Sequence, residues 1–382
     1  MRFLVYYLIF LIVFLGCNNV KKQKIGKNDD IKTVIIPKVV DAKNVDIIYD
    51  LDYIKLEAKE NSYFGDVSKL RIHKDRIYVL DKRYAKSLFI YTINGKHIAT
   101  IGDKKGRGPL EFINLANFEI DYVNNQILTI DDYGYKFMIY DLDGNFVKRI
   151  DSTLPVFNAV LLPNGYFLHA KPTWNYKPPV TSDCQIIITD ENKKIIKEGF
   201  DYNDNKNLNI NIDEIISAQV DGSFNFAPKF RDTIYSVSFD SIIPKYAINF
   251  GNKRVINKNK INDISGLPEL FSLIDAGLTC FMGTHVESND YLYLSLGYFL
   301  NQIYVFFNKQ TNKTIAISHK SEINEYGYEL FRVLCSDSDG YFYGAFNFAD
   351  IDELVKLFPK LKEIDIAAED INPILFKYKV SI

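Results

Sequence analysis

The sequence predicts an all-β fold, a six-bladed β-propeller of four-stranded antiparallel blades with short helical insertions. Three observations carry that expectation. The first is a pattern written twice between residues 63 and 150. Arg76-Ile-Tyr-Val-Leu-Asp81, Ser87-Leu-Phe-Ile-Tyr91 and Asn94-Gly95 are echoed by Gln126-Ile-Leu-Thr-Ile-Asp131, Lys136-Phe-Met-Ile-Tyr140 and Asp143-Gly144. Asp81 recurs at Asp131 and Gly95 at Gly144, so the period is 49 or 50 residues, the length of a propeller blade. The second is the turn chemistry. Asn-Gly or Asp-Gly between apolar runs marks a tight hairpin, because the turn that matches strand twist needs positive φ at its centre. The signal returns at Asn164-Gly165, Asp221-Gly222 and Asp339-Gly340. The third is that Ile77–Leu80 and Ile127–Ile130, read here as inner strands, are apolar on both faces. A sheet packed between two neighbours needs this, whereas a sheet with one wet face alternates.

Residues 1–17 read as a segment outside the fold. Met1-Arg2 precedes an unbroken apolar run from Phe3 to Leu15, too short to span a bilayer, which takes about 20 residues, but suited to a signal peptide. The run ends Phe14-Leu-Gly-Cys17, which resembles the lipobox of bacterial lipoproteins, with Phe14 in place of the usual aliphatic residue. Cys17 is then the expected lipidation site, and acyl chains at ~0.8 kcal/mol per buried methylene would tether the chain to a membrane. Residues 18–44 are polar, with five lysines between Lys21 and Lys32, and are expected to be a flexible tether. The propeller is expected over 45–382.

Blades one and two are placed at 63–102 and 112–150, the last strand of the first (His97–Ile101) alternating as an outer, partly wet strand does. Blade three holds Gly165–His169 and Gln185–Asp190, separated by the proline-rich stretch Lys171–Pro179. Blade four covers Ile215–Phe250, five includes Tyr291–Ser295 and Gln302–Phe307, and six includes Arg332–Cys335 and Tyr341–Ala345. Helical insertions are expected at Pro268–Ile274, where proline suits a first helical turn, and at Ile351–Leu361. The final Pro373–Val380 has strand character, and Val45–Glu57 is expected to complete the same blade, since pairing the two ends removes an open edge.

Composition excludes some functions. Lys plus Arg number 46 and Asp plus Glu 48, a net charge of -2, so no strong overall field draws nucleic acid or anionic polymers. Tyr and Phe number 26 and 28, which suits cross-strand pairing in a β-rich extracytoplasmic protein. Beyond Cys17 the odd set Cys184, Cys280 and Cys335 lacks metal-ligand spacing and reads as buried thiols.

The string Arg76–Asp81, Phe89-Ile-Tyr91, Asn94-Gly-Lys96, Ile101-Gly102 and Gly106-Arg-Gly-Pro-Leu-Glu-Phe112 resembles the six-bladed β-propeller lipoproteins related to NHL-repeat proteins. The closing Asn372–Tyr378 is similar to that family's C-terminal strand. The resemblance implies a lipid anchor in a Gram-negative envelope, with the outer membrane the expected site, and no activity that can be carried over.

The residues themselves yield few candidates for chemistry. Gly102–Pro109 is glycine-rich and basic but lacks phosphate-loop spacing, so it reads as an inter-blade connection, with Arg107 pointing along the ring face toward a ligand. Asp141-Leu-Asp-Gly144 lacks the other ligands of a calcium loop. Asp81, Asp131 and Asp190 end strands at matching places and read as turn-forming carboxylates. The five histidines show no paired spacing. Trp174 and Tyr176, flanked by prolines, are the expected aromatic anchors of a binding loop. The expected function is a non-enzymatic envelope module binding a glycan, a peptide or a partner protein, with no catalytic residue and no resident metal. One alternative is a hydrolase or lactonase holding calcium in the central channel through ligands donated one per blade. A second is a structural subunit of an outer-membrane complex.

Overall fold

The computed structural model describes residues 21–22, 25–28, 30–151, 158–162, 167–170, 184–190, 194–201, 216–218, 223–297, 302–318, 330–346 and 372–382. Cys17, Trp174, Tyr176 and the insertion expected at 351–361 lie outside the described residues. The N-terminal part contributes β1 (Lys21–Lys22), β2 (Lys32–Ile35), β3 (Val40–Asp41) and β4 (Ile48–Ile54). Then come β5 (Lys69–His73), β6 (Arg76–Asp81), β7 (Ser87–Thr92) and β8 (His97–Ile101), followed by β9 (Leu115–Asp121), β10 (Gln126–Asp131), β11 (Lys136–Asp141) and β12 (Phe146–Asp151). The next two quartets are β13 (Asn158–Leu161), β14 (Phe167–Ala170), β15 (Cys184–Thr189), β16 (Ile195–Asp201), and β17 (Ile216–Ala218), β18 (Phe224–Phe226), β19 (Thr233–Val237), β20 (Ile242–Asn249). Two helices follow, α1 (Lys258–Ile261) and α2 (Leu267–Asp275), the second where proline in the first turn predicted it. The chain then runs through β21 (Phe281–Glu287), β22 (Tyr291–Leu296), β23 (Ile303–Asn308), β24 (Thr314–Ser318), β25 (Cys335–Ser336), β26 (Phe342–Phe346) and β27 (Ile374–Val380).

Each of five sheets takes four consecutive strands, β5–β8, β9–β12, β13–β16, β17–β20 and β21–β24, and one further sheet is composite. It joins β25, β26 and β27 to the N-terminal β4, in the order β25-β26-β27-β4. Apolar clusters bridge each neighbouring pair. Tyr78, Leu88 and Ile90 of the β5–β8 sheet meet Phe118 and Met138 of the next. Phe137 and Ile139 meet Ala159, and Ile186 and Ile188 meet Phe224 and Phe226. Ile234 and Ile248 pack with Leu292 and Leu294, and Tyr293 and Phe306 with Phe342 and Tyr378. Leu375 and Tyr343 return to Val79 and Phe89. Sheets that bury both faces against neighbours in a closed sequence make a β-propeller, and its blades are four-stranded.

The expected inner strands are corrected by one position. Among the first strands, β5 approaches β9 and β25, β9 approaches β13 and β17, and β21 approaches β25, so Ile77–Leu80 and Ile127–Ile130 lie one strand further out. Their uniformly apolar character comes from sitting mid-sheet with both faces covered, not from facing the channel.

The stretch 18–44 is also corrected: its described part is no free tether. β1 pairs in parallel with β16, β2 with β20 and β3 with β24, adding a fifth strand to three sheets. Val34 and Ile36 are buried in the core between the fourth and fifth sheets, which polar composition around them concealed. β4 pairs antiparallel with β27, as expected of the two ends.

Candidate functional site

The alternation of β5 decides what lines the channel. Leu70 and Ile72 enter an inter-sheet core, so Lys69 and Arg71 point the other way, toward the axis. On β9, Phe118 and Ile120 are core and Asn117 and Glu119 face inward. Lys69 Nζ donates to Asn117 Oδ1 at 3.1 Å and to Glu119 Oε2 at 2.9 Å. Arg71 Nε donates to Glu119 Oε1 at 2.8 Å and Nη2 to Oε2 at 3.1 Å, the two-pronged geometry a guanidinium offers a carboxylate. Burial alone would raise the Glu119 pKa, but Arg71 and Lys69 outweigh it and hold the group down to about 2.

A second cluster stands on β21. Glu287 accepts from Lys245 Nζ at 2.7 Å, Lys309 Nζ at 3.0 Å, the Tyr246 hydroxyl at 2.7 Å and Asn225 Nδ2 at 2.6 Å. Burial raises its pKa, yet the two lysines hold it down to about 2. Each of these inner-strand carboxylates therefore already carries two cationic side chains. Among the described residues no group of three or more His, Cys, Asp or Glu side chains is arranged to hold a metal.

A cavity of about 760 Å³ opens at one mouth of the channel, at the hairpins that follow the first strands. Arg71, Lys245, Glu287 and Lys309 form its floor, and Lys74, Asp75, Tyr122, Asn289, Asp339 and Tyr341 stand on its rim. Three of these rim charges, Lys74, Asp75 and Asp339, make no ion pair among the described residues. The Tyr341 ring lies beneath two ammonium groups, Lys377 Nζ at 4.9 Å and Lys379 Nζ at 4.5 Å from its centroid. Its hydroxyl donates to Asp50 of β4, which pushes its pKa up to about 12. Lys74 and Asp75 both hold positive φ, 45° and 54°, at the tip of the β5–β6 hairpin. Asn and Gly take that conformation readily; a lysine there is strained.

The sequence-predicted residues are not gathered at this mouth. Arg107 is exposed on the β8–β9 connection, at the opposite end of the sheets. Asp81 and Asp131 are buried structural acceptors. Asp81 receives the backbone N–H groups of Gly65, Asp66, Arg83, Tyr84 and Ala85, and Asp131 those of Ile113, Asn114 and Gly134. Asp190 is corrected: it directly follows β15, a third strand, and accepts from Lys194 N as Asp141 accepts from Asn145 N. Cys280 and Cys335 are buried free thiols. Lys69, Arg71, Asn117 and Glu119 were missed, though polar–apolar alternation in the strand preceding each repeated one signals them; the Glu287 cluster and the rim residues Lys74, Asp75, Asp339 and Tyr341 were missed as well.

No helix among the described residues is long and apolar enough to cross a membrane. No curated protein matches the sequence. In fold, the chain is similar to a Bacteroides fragilis protein provisionally named as exported, at 21% identity and TM-score 0.73, over 92% of this chain and 100% of that one. It is also similar to a member of the DUF4221 family from Bacteroides vulgatus, at 11% identity and TM-score 0.54, over 88% of this chain and 98% of the other. The β-propeller domain of Cps50 (Swd1) from Myceliophteria thermophila matches at 10% identity and TM-score 0.45 over 87% and 100%, too distantly to bear on the argument. The model of a domain of unknown function, DUF4934, matches residues 32–379, from the first residue of β2 to the penultimate residue of β27, and the chain belongs to that family.

Proposed function

We propose that this protein is an envelope lipoprotein, anchored through Cys17, whose propeller has six blades, counting the composite sheet, and works as a binding module. The ligand is a small zwitterionic molecule of the short-peptide class, seated in the channel mouth. One observation carries the reading: a 760 Å³ cavity whose floor carboxylate, Glu287, is already paired with two lysines, and a rim on which Lys74, Asp75 and Asp339 have no ion-pair partner among the described residues. A peptide's carboxylate finds Lys74 and its ammonium finds Asp75 and Asp339, while Tyr341 supplies a flat surface for its side chain. The paired state of Glu119 and Glu287 speaks for binding over calcium chemistry, since four cationic side chains occupy the carboxylates a calcium ion would need. The name of the Bacteroides fragilis neighbour supports export, and the Phe14–Cys17 string supports the anchor.

Isothermal titration of the protein with di- and tripeptides tests this. Saturable binding is expected, weakened about tenfold or more in Lys74→Gln and in Asp339→Asn, about 1.4 kcal/mol per tenfold. Silence across zwitterionic peptides, or binding indifferent to both substitutions, overturns it. Mass measurement of the mature protein tests the anchor, which requires a diacylated or triacylated Cys17 at the N-terminus.

A further inference from the structure

The opposite end of the first two sheets presents a different surface, independent of the channel mouth. Tyr63 precedes β5, Tyr84 lies between β6 and β7, and Leu110 and Ile113 lie between β8 and β9. Tyr133 and Tyr135 lie between β10 and β11, and all six are exposed. Antiparallel strands alternate their connections between the two ends, so these loops share the end away from Lys74 and Tyr122. They also touch. Gly65 N and Asp66 N donate to Asp81 beside the 82–86 loop, and Lys105 Nζ donates to the Lys86 carbonyl. Lys136 Nζ donates to the Glu111 carbonyl, and Ile113 N to Asp131 at 2.9 Å.

Tyr84 and Tyr133 are 71% and 69% exposed, and buried carboxylates pin the backbones of their loops, which fixes where the two side chains leave the surface. Tyr84 stands directly over Gly65, where an added Cβ would come within 2.8 Å of its ring. Around the rings, Lys86, Lys104 and Arg107 are exposed and form no ion pair among the described residues, and Arg83 reaches Asp66 only at 4.0 Å. The exposed carboxylates on these connections are Glu57, which pairs with Lys59, and Glu60 and Asp103, so unpaired cations predominate.

We propose that this face binds an acidic polysaccharide of the uronic-acid class. Exposed tyrosine rings present an apolar face on which the C–H face of a pyranose stacks, with a hydroxyl at the edge for its polar substituents. Arg107, Lys104, Lys86 and Arg83 meet the carboxylates that such a chain carries once per sugar. A neutral glycan would leave the cations idle, and an acidic peptide carries no pyranose face to stack on the exposed rings.

Affinity electrophoresis of the full protein through gels containing polygalacturonate reads this out, with fully methyl-esterified polygalacturonate and polyglutamate as controls. Retardation by polygalacturonate is expected, at least tenfold stronger than by either control. Tyr84→Ala combined with Tyr133→Ala should reduce it tenfold or more, while the matching Phe substitutions retain it. Arg107→Ala with Lys104→Ala should reduce it similarly, and Lys74→Gln at the far mouth should leave it unchanged. Unaltered melting temperatures in these variants separate lost contacts from lost fold. Failure of the wild type to be retarded overturns the proposal. So does equal retardation by polyglutamate, which would mark an acidic-protein surface, or full binding by the double alanine variant. None of these outcomes bears on peptide binding at the channel mouth.

Discussion

Glu119 is enclosed on every side, and its charge is tolerated because Arg71 and Lys69 surround it. Glu119→Gln would strand two buried cations, and removing one member of such a group costs about 3–5 kcal/mol. A urea titration should show that loss. The pH dependence follows from the direction of the shift. Glu119 and Glu287 are both depressed from the ordinary 4.5 to about 2, so the folded state holds the charged form. Their stabilisation is complete above pH 4.5 and is lost as pH falls toward 2. Thermal melts between those limits should decline steeply for the wild type and less steeply for Glu119→Gln. At Asp81 the same logic applies to geometry. Asn offers one acceptor oxygen where the carboxylate takes five backbone N–H groups on two, so Asp81→Asn should cost on the order of 3 kcal/mol. Asp190→Asn, in a hairpin, should stay within about 0.5 kcal/mol. Turn duty at Asp81 and Asp131 was legible from their repetition. The place of Asp190 was not, because residues 171–183 enlarge one connection and displace the count of strands.

Among the elements, the N-terminal strands hid best. Lys32-Thr33-Val34-Ile35 reads as polar, and one buried residue per short strand gives no periodicity to detect. What holds the strand is a parallel ladder to β20, with Val34 fully enclosed. Val34→Ala should therefore cost about 1–2.5 kcal/mol, an effect that a solvated tether would not show in a denaturant melt. β9 and β5 were half legible. Their alternation was in the sequence, but a strand lining a polar channel looks like one facing water, and only the ring's closure shows that Lys69 and Glu119 meet. The β5–β6 hairpin carries strain at Lys74 that asparagine would relieve. Lys74→Asn should raise stability by about 0.4–1 kcal/mol while weakening the binding proposed for the mouth, the opposite signs expected when strain is kept for function.

At the scale of the whole molecule, the two ends of the chain meet in one sheet. β4 supplies the outer strand beside β27, and Asn372 locks the join from the side. Its Oδ1 accepts from Phe64 N at 3.0 Å, and its Nδ2 donates to the carbonyls of Ser62 at 2.9 Å and Glu57 at 3.2 Å. Gly95 brings the neighbouring sheet onto the same segment: with φ at +82°, a Cβ there would sit 1.8 Å from the Lys55 carbonyl oxygen. The closing pair was legible because both ends had strand character and a ring cannot tolerate an open blade. Asn372 was not, since its partners lie some 300 residues away in sequence, at separations of 308, 310 and 315. The consequence is a test of cooperativity. Asn372→Ala leaves the buried Phe64 N–H unpaired, while the Ser62 and Glu57 carbonyls keep the Tyr91 hydroxyl and Ser62 Oγ as donors, and should cost about 1–3 kcal/mol, still as a single transition. Removing residues 1–57 takes away β4 and exposes the edge of β27, and the faces of Leu375, Phe376 and Tyr378 lose their cover. Each sheet shares its apolar clusters with its neighbours, so the loss should spread around the ring. Calorimetry of that truncation should show no residual native transition, whereas a chain that melted normally without β4 would mean that the sheets fold independently and that the ring is not the unit of stability.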